Sequence, residues 1–343
     1  MAPTGRAAKR LAISSGRDAD TIHKALEASV RETGRTYFER NEANPLEEDL
    51  IIVDEASMLD ISLFYHLLCA LKDGARLILV GDIDQLPPVG AGEPLKDLMS
   101  WGYVPIVRLK RIFRQEEGSG IVENAALIRK GEMCVPDEAG EFRIVYAADD
   151  EDAYRIVMDL CRELNYGNEE NKMLLQVLSP MYRGVCGVDH LNESLQEMIH
   201  GEKVPDGMKF FPGDKVMQTR NDYEKGIYNG DVGTVWTATP QKVFVHYFDK
   251  EVVYEGEERF DLRLAYAVTV HKSQGSEYET VIFILRPSQH NMLQRNLLYT
   301  GVTRARKNTI LVTAPDALRR ALAIQHTGNR YSLFLPFLNH EAL

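Results

Sequence analysis

Two short, wholly apolar runs, LIIV at 50–53 and LILV at 77–80, each end abruptly in acid: Asp54-Glu55 after the first, Gly81-Asp82 after the second. Apolar runs of this length with no polar alternation suit parallel strands buried on both faces. Between them Phe64, Leu67, Leu68 and Leu71 fall at i, i+3, i+4 and i+7, an apolar helix face closed by Gly74. Strand, helix, strand is a βαβ unit. It commits this part of the chain to a parallel sheet with a right-handed crossover.

A second α/β pattern follows residue 131: a helix near 150–164, a strand at 174–178 and a helix near 188–200 that stops before Gly201. It is interrupted from 206 to 261 by short strands and turn signals at Pro212-Gly213, Asn229-Gly230, Gly233 and Asp249, the pattern of a small antiparallel barrel. It resumes with AYAVTV (265–270), VIFIL (281–285) and NTILVT (308–313). The expected fold is therefore α/β: a first parallel-sheet domain over 1–130, a second over 131–205 and 262–343, and a β module inserted at 206–261. A length of 343 residues fits two domains at roughly 150 residues each.

No apolar run approaches the roughly 20 residues that span a bilayer, so no membrane is expected. The opening MAPTGRAAKR has no apolar core and does not read as a secretory signal. Cys69, Cys134, Cys161 and Cys186 lack metal-ligand spacing, which suits a reducing, cytoplasmic protein. The net charge of −11 argues against a nucleic-acid binder, but weakly, because a sliding protein needs only a local basic groove. Local basic clusters do occur: Arg6, Lys9 and Arg10; Arg108, Lys110, Arg111 and Arg114; Arg304, Arg306 and Lys307.

The acid pair carries the sharpest chemistry. Asp54 and Glu55 stand where a parallel strand ends, the edge at which open α/β sheets bind ligands. In nucleoside triphosphatases the first such acid holds magnesium and the second polarises the attacking water. The plainer reading is an acidic helix start that complements the helix dipole. Gln85 leaves the second strand and would emerge beside the pair, as an amide able both to donate to phosphate and to accept from water. Read blandly, it is a polar turn. LKRIFRQ (109–115) and LLYTGVTRARKNTILV (297–312) set arginines at the edges of apolar segments, and two such arginines can clamp a transferred phosphate. Taken singly, each is as well read as a solvated charge. The loop HKSQGSE, 271–277, is dense enough in polar side chains to meet both a nucleic-acid backbone and a nucleotide.

In order, APTGRAAKRL, TIHKAL, NPLEEDLIIVDEASMLD, LVGDIDQLPPVGAG, LKRIFRQ, YNGDVGTV, AYAVTVHKSQGSEYE and LLYTGVTRAR resemble the motor of RecD-like helicases of superfamily 1 over nearly the whole chain. The resemblance implies two RecA-like domains, an SH3-like module inserted in the second, and ATP-driven 5′ to 3′ movement on single-stranded DNA and at duplex junctions, in company with recombination or repair proteins. It gives Asp54 the magnesium ion and Glu55 the role of catalytic base. Gln85 is similar to the γ-phosphate sensor, and Arg114 and Arg304 to the two arginines that contact the γ-phosphate. Asp82, Gly275 and Glu277 fall on the nucleotide side. Pro3, Thr4, Gly5 and Arg6, then Thr21 and His23, then Thr269, His271 and Ser273, match DNA-contacting motifs. The stretch 33–48 occupies the place where some relatives carry a strand-splitting hairpin, and is short. One departure is large: no G-x-x-x-x-G-K-[ST] phosphate loop occurs in the sequence. The expectation is thus the carboxyl-terminal part of a longer helicase, inactive alone, with apolar surface left open on one side of LIIV and LILV. Two alternatives stand beside it: a non-catalytic DNA-binding or assembly subunit, and the helicase part of a conjugative relaxase.

Overall fold

The computed structural model describes residues 1–30, 36–109, 118–205, 207–222, 224–248, 250–325 and 334–339. Arg114, and Lys110 and Arg111 of the same basic cluster, lie outside the described residues, as does Asp249. The chain forms two compact units, Met1–Lys110 with Gly328–Leu343, and Arg111–Thr327.

In the first unit, helix α1 (Gly5–Ser15) starts at Thr4, whose hydroxyl accepts from the Ala7 amide, and α2 (Ile22–Ala25) starts at Thr21, which accepts from the Lys24 amide. Strands β1 (Ala28–Val30) and β2 (Thr36–Phe38) pair antiparallel; of the stretch 33–48, residues 33–35 lie outside the described residues. Strand β3 (Leu50–Val53), helix α3 (Ile61–Cys69) and strand β4 (Arg76–Leu79) make the expected parallel βαβ unit. Asp60 caps α3 by accepting from the Leu63 amide at 2.8 Å. Met1 continues the parallel layer on the far side of β3: its amine donates to Ile52 O (2.7 Å) and its carbonyl accepts from Asp54 N (3.0 Å).

The strands are not buried on both faces. Ile51 and Val53 point into a core with Leu63, Phe64 and Leu67, while Leu50, Ile52, Ile78 and Val80 are 42–49% exposed. A strand turns alternate side chains to opposite faces, and α3 covers one of them. The helix stripe also differs by a flank: Leu63 joins Phe64 and Leu67 inside, whereas Leu68 is exposed. After β4 the chain turns at Gly81 against the 3-10 turn Ala56–Met58, and helix α4 (Pro94–Trp101) follows. A Cβ at Gly81 would stand 2.8 Å from both Ser57 N and Leu95 Cδ2. Gly81→Ala is therefore expected to destabilise by about 1–3 kcal/mol, read as a lowered denaturation midpoint, because backbone must give way.

The second unit opens with helix α5 (Gly120–Lys130), which packs against elements of this unit rather than the first. The division therefore falls near 110, not 130, and α5 changes sides because its apolar face is covered by the later sheet. Strand β5 (Phe142–Tyr146), helices α6 (Asp150–Glu163) and α7 (Glu169–Leu174), strand β6 (Leu175–Ser179) and helix α8 (Val188–His200) follow. Next come β7 (Lys215–Gln218), β8 (Val232–Ala238), β9 (Lys242–His246), β10 (Glu251–Glu255) and β11 (Leu262–Leu264), all antiparallel in the order β10-β9-β8-β7-β11. Gly233 lies within β8, not in a turn, because a side chain there would strike Val245 of β9. The sheet runs past 261, since Leu262–Leu264 pair with Val216–Gln218. Strands β12 (Ala267–Thr269), β13 (Tyr278–Leu285) and β14 (Ala305–Thr313), with helices α9 (Arg295–Val302) and α10 (Pro315–Ala323), complete a parallel sheet ordered β12-β6-β13-β14-β5. Its inner stretches, β6, Val281–Leu285 of β13 and Thr309–Thr313 of β14, are fully buried and fall on the apolar runs of the sequence, while the edge strand β5 is not.

Candidate functional site

The amino-acid pattern at the end of β3 forces a tight exit. Glu55 adopts φ 52°, ψ 37°, a left-handed conformation that costs a non-glycine residue about 1–3 kcal/mol and clusters at functional sites. Asp54 steadies it: Oδ1 accepts from the Glu55 amide at 2.9 Å. The Ala56 amide then donates to Val80 O at 2.8 Å, which locks the two strand ends together. Asp82 closes the next turn, its Oδ1 accepting from Asp84 N (3.0 Å) and its carbonyl from Gln85 N (3.3 Å). Gln85 lines a small cavity of about 10 Å³ with Ser57, Leu86, Pro87 and Glu93. The acid pair and Gln85 are thus brought together through the Ala56–Met58 turn, whose Ser57 shares that cavity with Gln85. Among the described residues no group of three or more His, Cys, Asp or Glu builds a metal cage. Magnesium shared with nucleotide phosphates needs only one or two protein carboxylates, and Asp54 could supply one.

The first DNA-motif residues come together through backbone. Ala2 bridges Thr21 in parallel fashion, with Ala2 N donating to Asp20 O (3.1 Å) and Ile22 N to Ala2 O (2.9 Å). That sets Pro3, Thr4, Gly5 and Arg6 beside Thr21 and His23. Burial lowers the pKa of His23, against a smaller upward pull from Asp60, so its imidazole is neutral at pH 7. Its ring lies 6.0 Å from that of Phe38 in β2.

In the second unit, Thr269 ends β12 at the carboxyl edge of the sheet, and Tyr278 begins β13 at the amino edge. The loop 270–277 therefore runs back along the strand direction, from one edge of the sheet to the other. Its first part is the 3-10 turn His271–Ser273, in which Thr269 Oγ1 accepts from Lys272 N (3.3 Å) and Ser273 Oγ donates to Val270 O (2.7 Å). Thr269 and Ser273 are buried, and burial lowers the pKa of His271. Its last part, Gly275–Glu277, reaches Arg304. That arginine is 2% exposed, with Nε donating to Thr300 O and Nη1 to Ser276 O, each at 3.2 Å. Gly275 has φ 71°, which suits glycine at the bend. Arg306 and Lys307, expected as part of a basic cluster, stand 3.9 Å from Glu277 and 2.8 Å from Glu279, so this stretch is largely neutralised.

Three family models match the chain in order: an AAA domain over 1–143, the SH3 domain of ATP-dependent RecD-like DNA helicases over 191–247, and the UvrD-like helicase C-terminal domain over 264–312. The chain belongs to the RecD-like helicases. The ATP-dependent RecD2 DNA helicase of Deinococcus radiodurans is 38% identical over 336 residues, which are 97% of this chain and 45% of that protein. The RecBCD enzyme subunit RecD of Mycolicibacterium smegmatis is 32% identical, over 97% of this chain and 65% of that one. The chain spans from about half to two thirds of the length of these relatives. A crystal structure of Pif1 helicase from Bacteroides, in complex with ADP-AlF3 and single-stranded DNA, shares the fold at a TM-score of 0.56 and 21% identity, covering 95% of this chain and 84% of the other.

One feature of this RecD-like chain escaped sequence reasoning. Asp214 and Lys215, where the β module begins, are buried in a polar network with Gln196, His200, Tyr166, Gln176 and Tyr266. The available signal was an acid and a base side by side before an apolar strand.

Proposed function

We propose that this chain supplies the motor units of an ATP-driven DNA helicase that steps 5′ to 3′ along single-stranded DNA in repair or recombination. The observation that carries the reading is the loop 270–277. It leaves the DNA-motif residue Thr269 at one edge of the sheet and enters β13 at the other edge, beside Arg304. A single rigid connection between a strand-binding turn and a phosphate-sensing arginine is what conversion of hydrolysis into movement requires. Asp54 would hold magnesium with the nucleotide phosphates, and Glu55 would orient and deprotonate the attacking water. Magnesium–ATP, when bound, supplies the chemical driving force. Three buried free thiols, Cys134, Cys161 and Cys186, are pushed up to about 12 by burial, which suits a reducing, cytoplasmic setting.

The test is phosphate release by the full-length gene product with and without single-stranded DNA, together with strand displacement on duplexes tailed at either end. Stimulated turnover and unwinding from the 5′ tail are expected. Tight DNA binding with no turnover would instead identify a non-catalytic subunit. Gln85→Ala is expected to lower DNA-stimulated turnover more than basal turnover, since the residue follows β4 beside the acid edge and precedes the stiff Pro87-Pro88. Equal losses in both would make Gln85 structural or directly catalytic.

A further inference from the structure

The inserted β module meets the loop 270–277 at Lys272. Lys272 Nζ donates to Asn229 Oδ1 at 2.6 Å. Asn229 belongs to the turn Tyr228–Asp231, which is fixed on all sides. Tyr228 N donates to Asp231 Oδ2 (3.0 Å), Asp231 N to Tyr228 O (2.9 Å), Asn229 N to Asn221 Oδ1 (2.9 Å) and Gly230 N to Gln218 O (2.8 Å). Gly230 at φ 97° takes a conformation that a side chain resists. On the other side, Lys272 sits in the 3-10 turn His271–Ser273, which Thr269 and Ser273 hold by their hydroxyls. Two over-determined turns from different sheets are therefore joined by a charge-assisted bond.

The lysine has reason to keep that bond. Burial lowers its pKa, with a smaller contribution from Arg263, so its ammonium is partly stripped of water. A neutral amide oxygen on a rigid turn satisfies the ammonium without neutralising it.

We propose that Asn229 of the inserted module is a positioning residue for the strand-binding turn, fixing His271–Ser273 through Lys272. The inference rests on the reading of Thr269, His271 and Ser273 as DNA contacts. It adds that the module sets their geometry from a distance, without contributing charge to the interface.

Because His271 is neutral at pH 7 and Asn229 uncharged, loss of the bond changes placement rather than electrostatics. That gives a signature in salt. The experiment is equilibrium binding of fluorescent oligo-dT to this chain across a potassium chloride series, for wild type, N229A, N229D, K272M and the double variant N229A/K272M. A charge-assisted bond of this kind corresponds to a loss of about ten- to a hundredfold in affinity for N229A, with the slope of log K against log salt unchanged. N229D keeps an acceptor oxygen and is expected to bind like wild type. The double variant is expected to be no weaker than K272M alone, since both remove the same contact.

Unchanged affinity in N229A overturns the proposal. So does additivity in the double variant, or a K272M slope shallower by about one with N229A unaffected, which would make Lys272 itself a phosphate contact. Wild-type protein that fails to bind oligo-dT would sink the DNA reading first, and the role of Asn229 with it. If N229A lowers the denaturation midpoint, N229D decides: recovery of both midpoint and affinity supports the strut, and weak binding in a stably folded N229D overturns it.

Discussion

Arg304→Ala in the full-length gene product is expected to cut ATP turnover by about 10³–10⁵, while leaving nucleotide-free affinity for single-stranded DNA little changed. The magnitude follows from what such an arginine does: it stabilises charge on the transferred phosphate and nothing else in the cycle. Its surroundings here are those of a preset group. The side chain is 2% exposed, and its Nε and Nη1 are tied to Thr300 O and Ser276 O. The cost of ordering a long side chain is thereby met in folding rather than at each turnover. Arg304→Lys keeps the charge but not the planar fork, so most of the loss should remain. Removing the guanidinium also strips donors from two buried carbonyls, so a lowered denaturation midpoint is expected in both variants. The discriminating measurement is phosphate release at a temperature where each is fully folded. Near-normal turnover in either one would end the assignment of Arg304 to the phosphate.

How much of this was legible in the sequence depends on the range of the interaction concerned. The βαβ unit was legible because it is local: an apolar run, a helical stripe and a second run lie within 50–80. The limits of α8 were legible for the same reason, as Gly201 at φ 74° closes the helix at the place its position suggests. The face exposed by Leu50, Ile52, Ile78 and Val80 did not follow from the runs themselves, because an unbroken apolar strand reads the same whether one layer covers it or two; it was expected only from the missing phosphate-loop motif. Nor was the allegiance of α5 legible, since an amphipathic helix shows that it has a partner but not which sheet supplies it. At the candidate site, Asp54, Glu55 and Gln85 were singled out from strand ends and spacing, and their places after β3 and β4 are as local as the βαβ unit itself. That Arg304 packs on Ser276, or that Lys272 meets Asn229 across 43 residues of sequence, needed coordinates. Side-chain pairs far apart in sequence leave no periodic trace.

The β module illustrates that limit with an energetic consequence. Turn signals placed it at 206–261 as a small inserted barrel, and its own apolar cluster, with Phe210, Val216, Val235, Val245 and Tyr254, supports a core of its own. The first strand nonetheless begins inside the larger sheet's territory. Asp214 is 0% exposed and accepts from Gln196 Nε2, Phe211 N (2.7 Å) and Tyr266 OH (2.9 Å), with His200 Nε2 also at 2.9 Å. Lys215 is 1% exposed and donates to Leu175 O (3.0 Å) and Gln176 Oε1 (2.9 Å), both in the parallel sheet. Burial, reinforced by the Asp214 charge, drives Tyr266 well above the usual tyrosine range, so it stays a donor at any pH the protein survives. Asp214→Ala would leave the buried donors Gln196 Nε2, Phe211 N and Tyr266 OH unmatched. The expected loss is about 3–5 kcal/mol, since each buried donor left unmatched costs about 1–3 kcal/mol. For a unit of this size that corresponds to roughly 2–4 °C per kcal/mol in the denaturation midpoint. Asp214→Asn keeps the shape and one acceptor, and is expected to cost distinctly less. Excising 206–261 outright removes both Asp214 and Lys215, so it should unfold the second unit, whereas a cut that keeps both residues and the β11 pairing with β7 should not. Calorimetry of these variants decides the point: an Asp214→Ala midpoint within a degree or two of wild type would mean that the network is solvated in solution and that the module is separable after all.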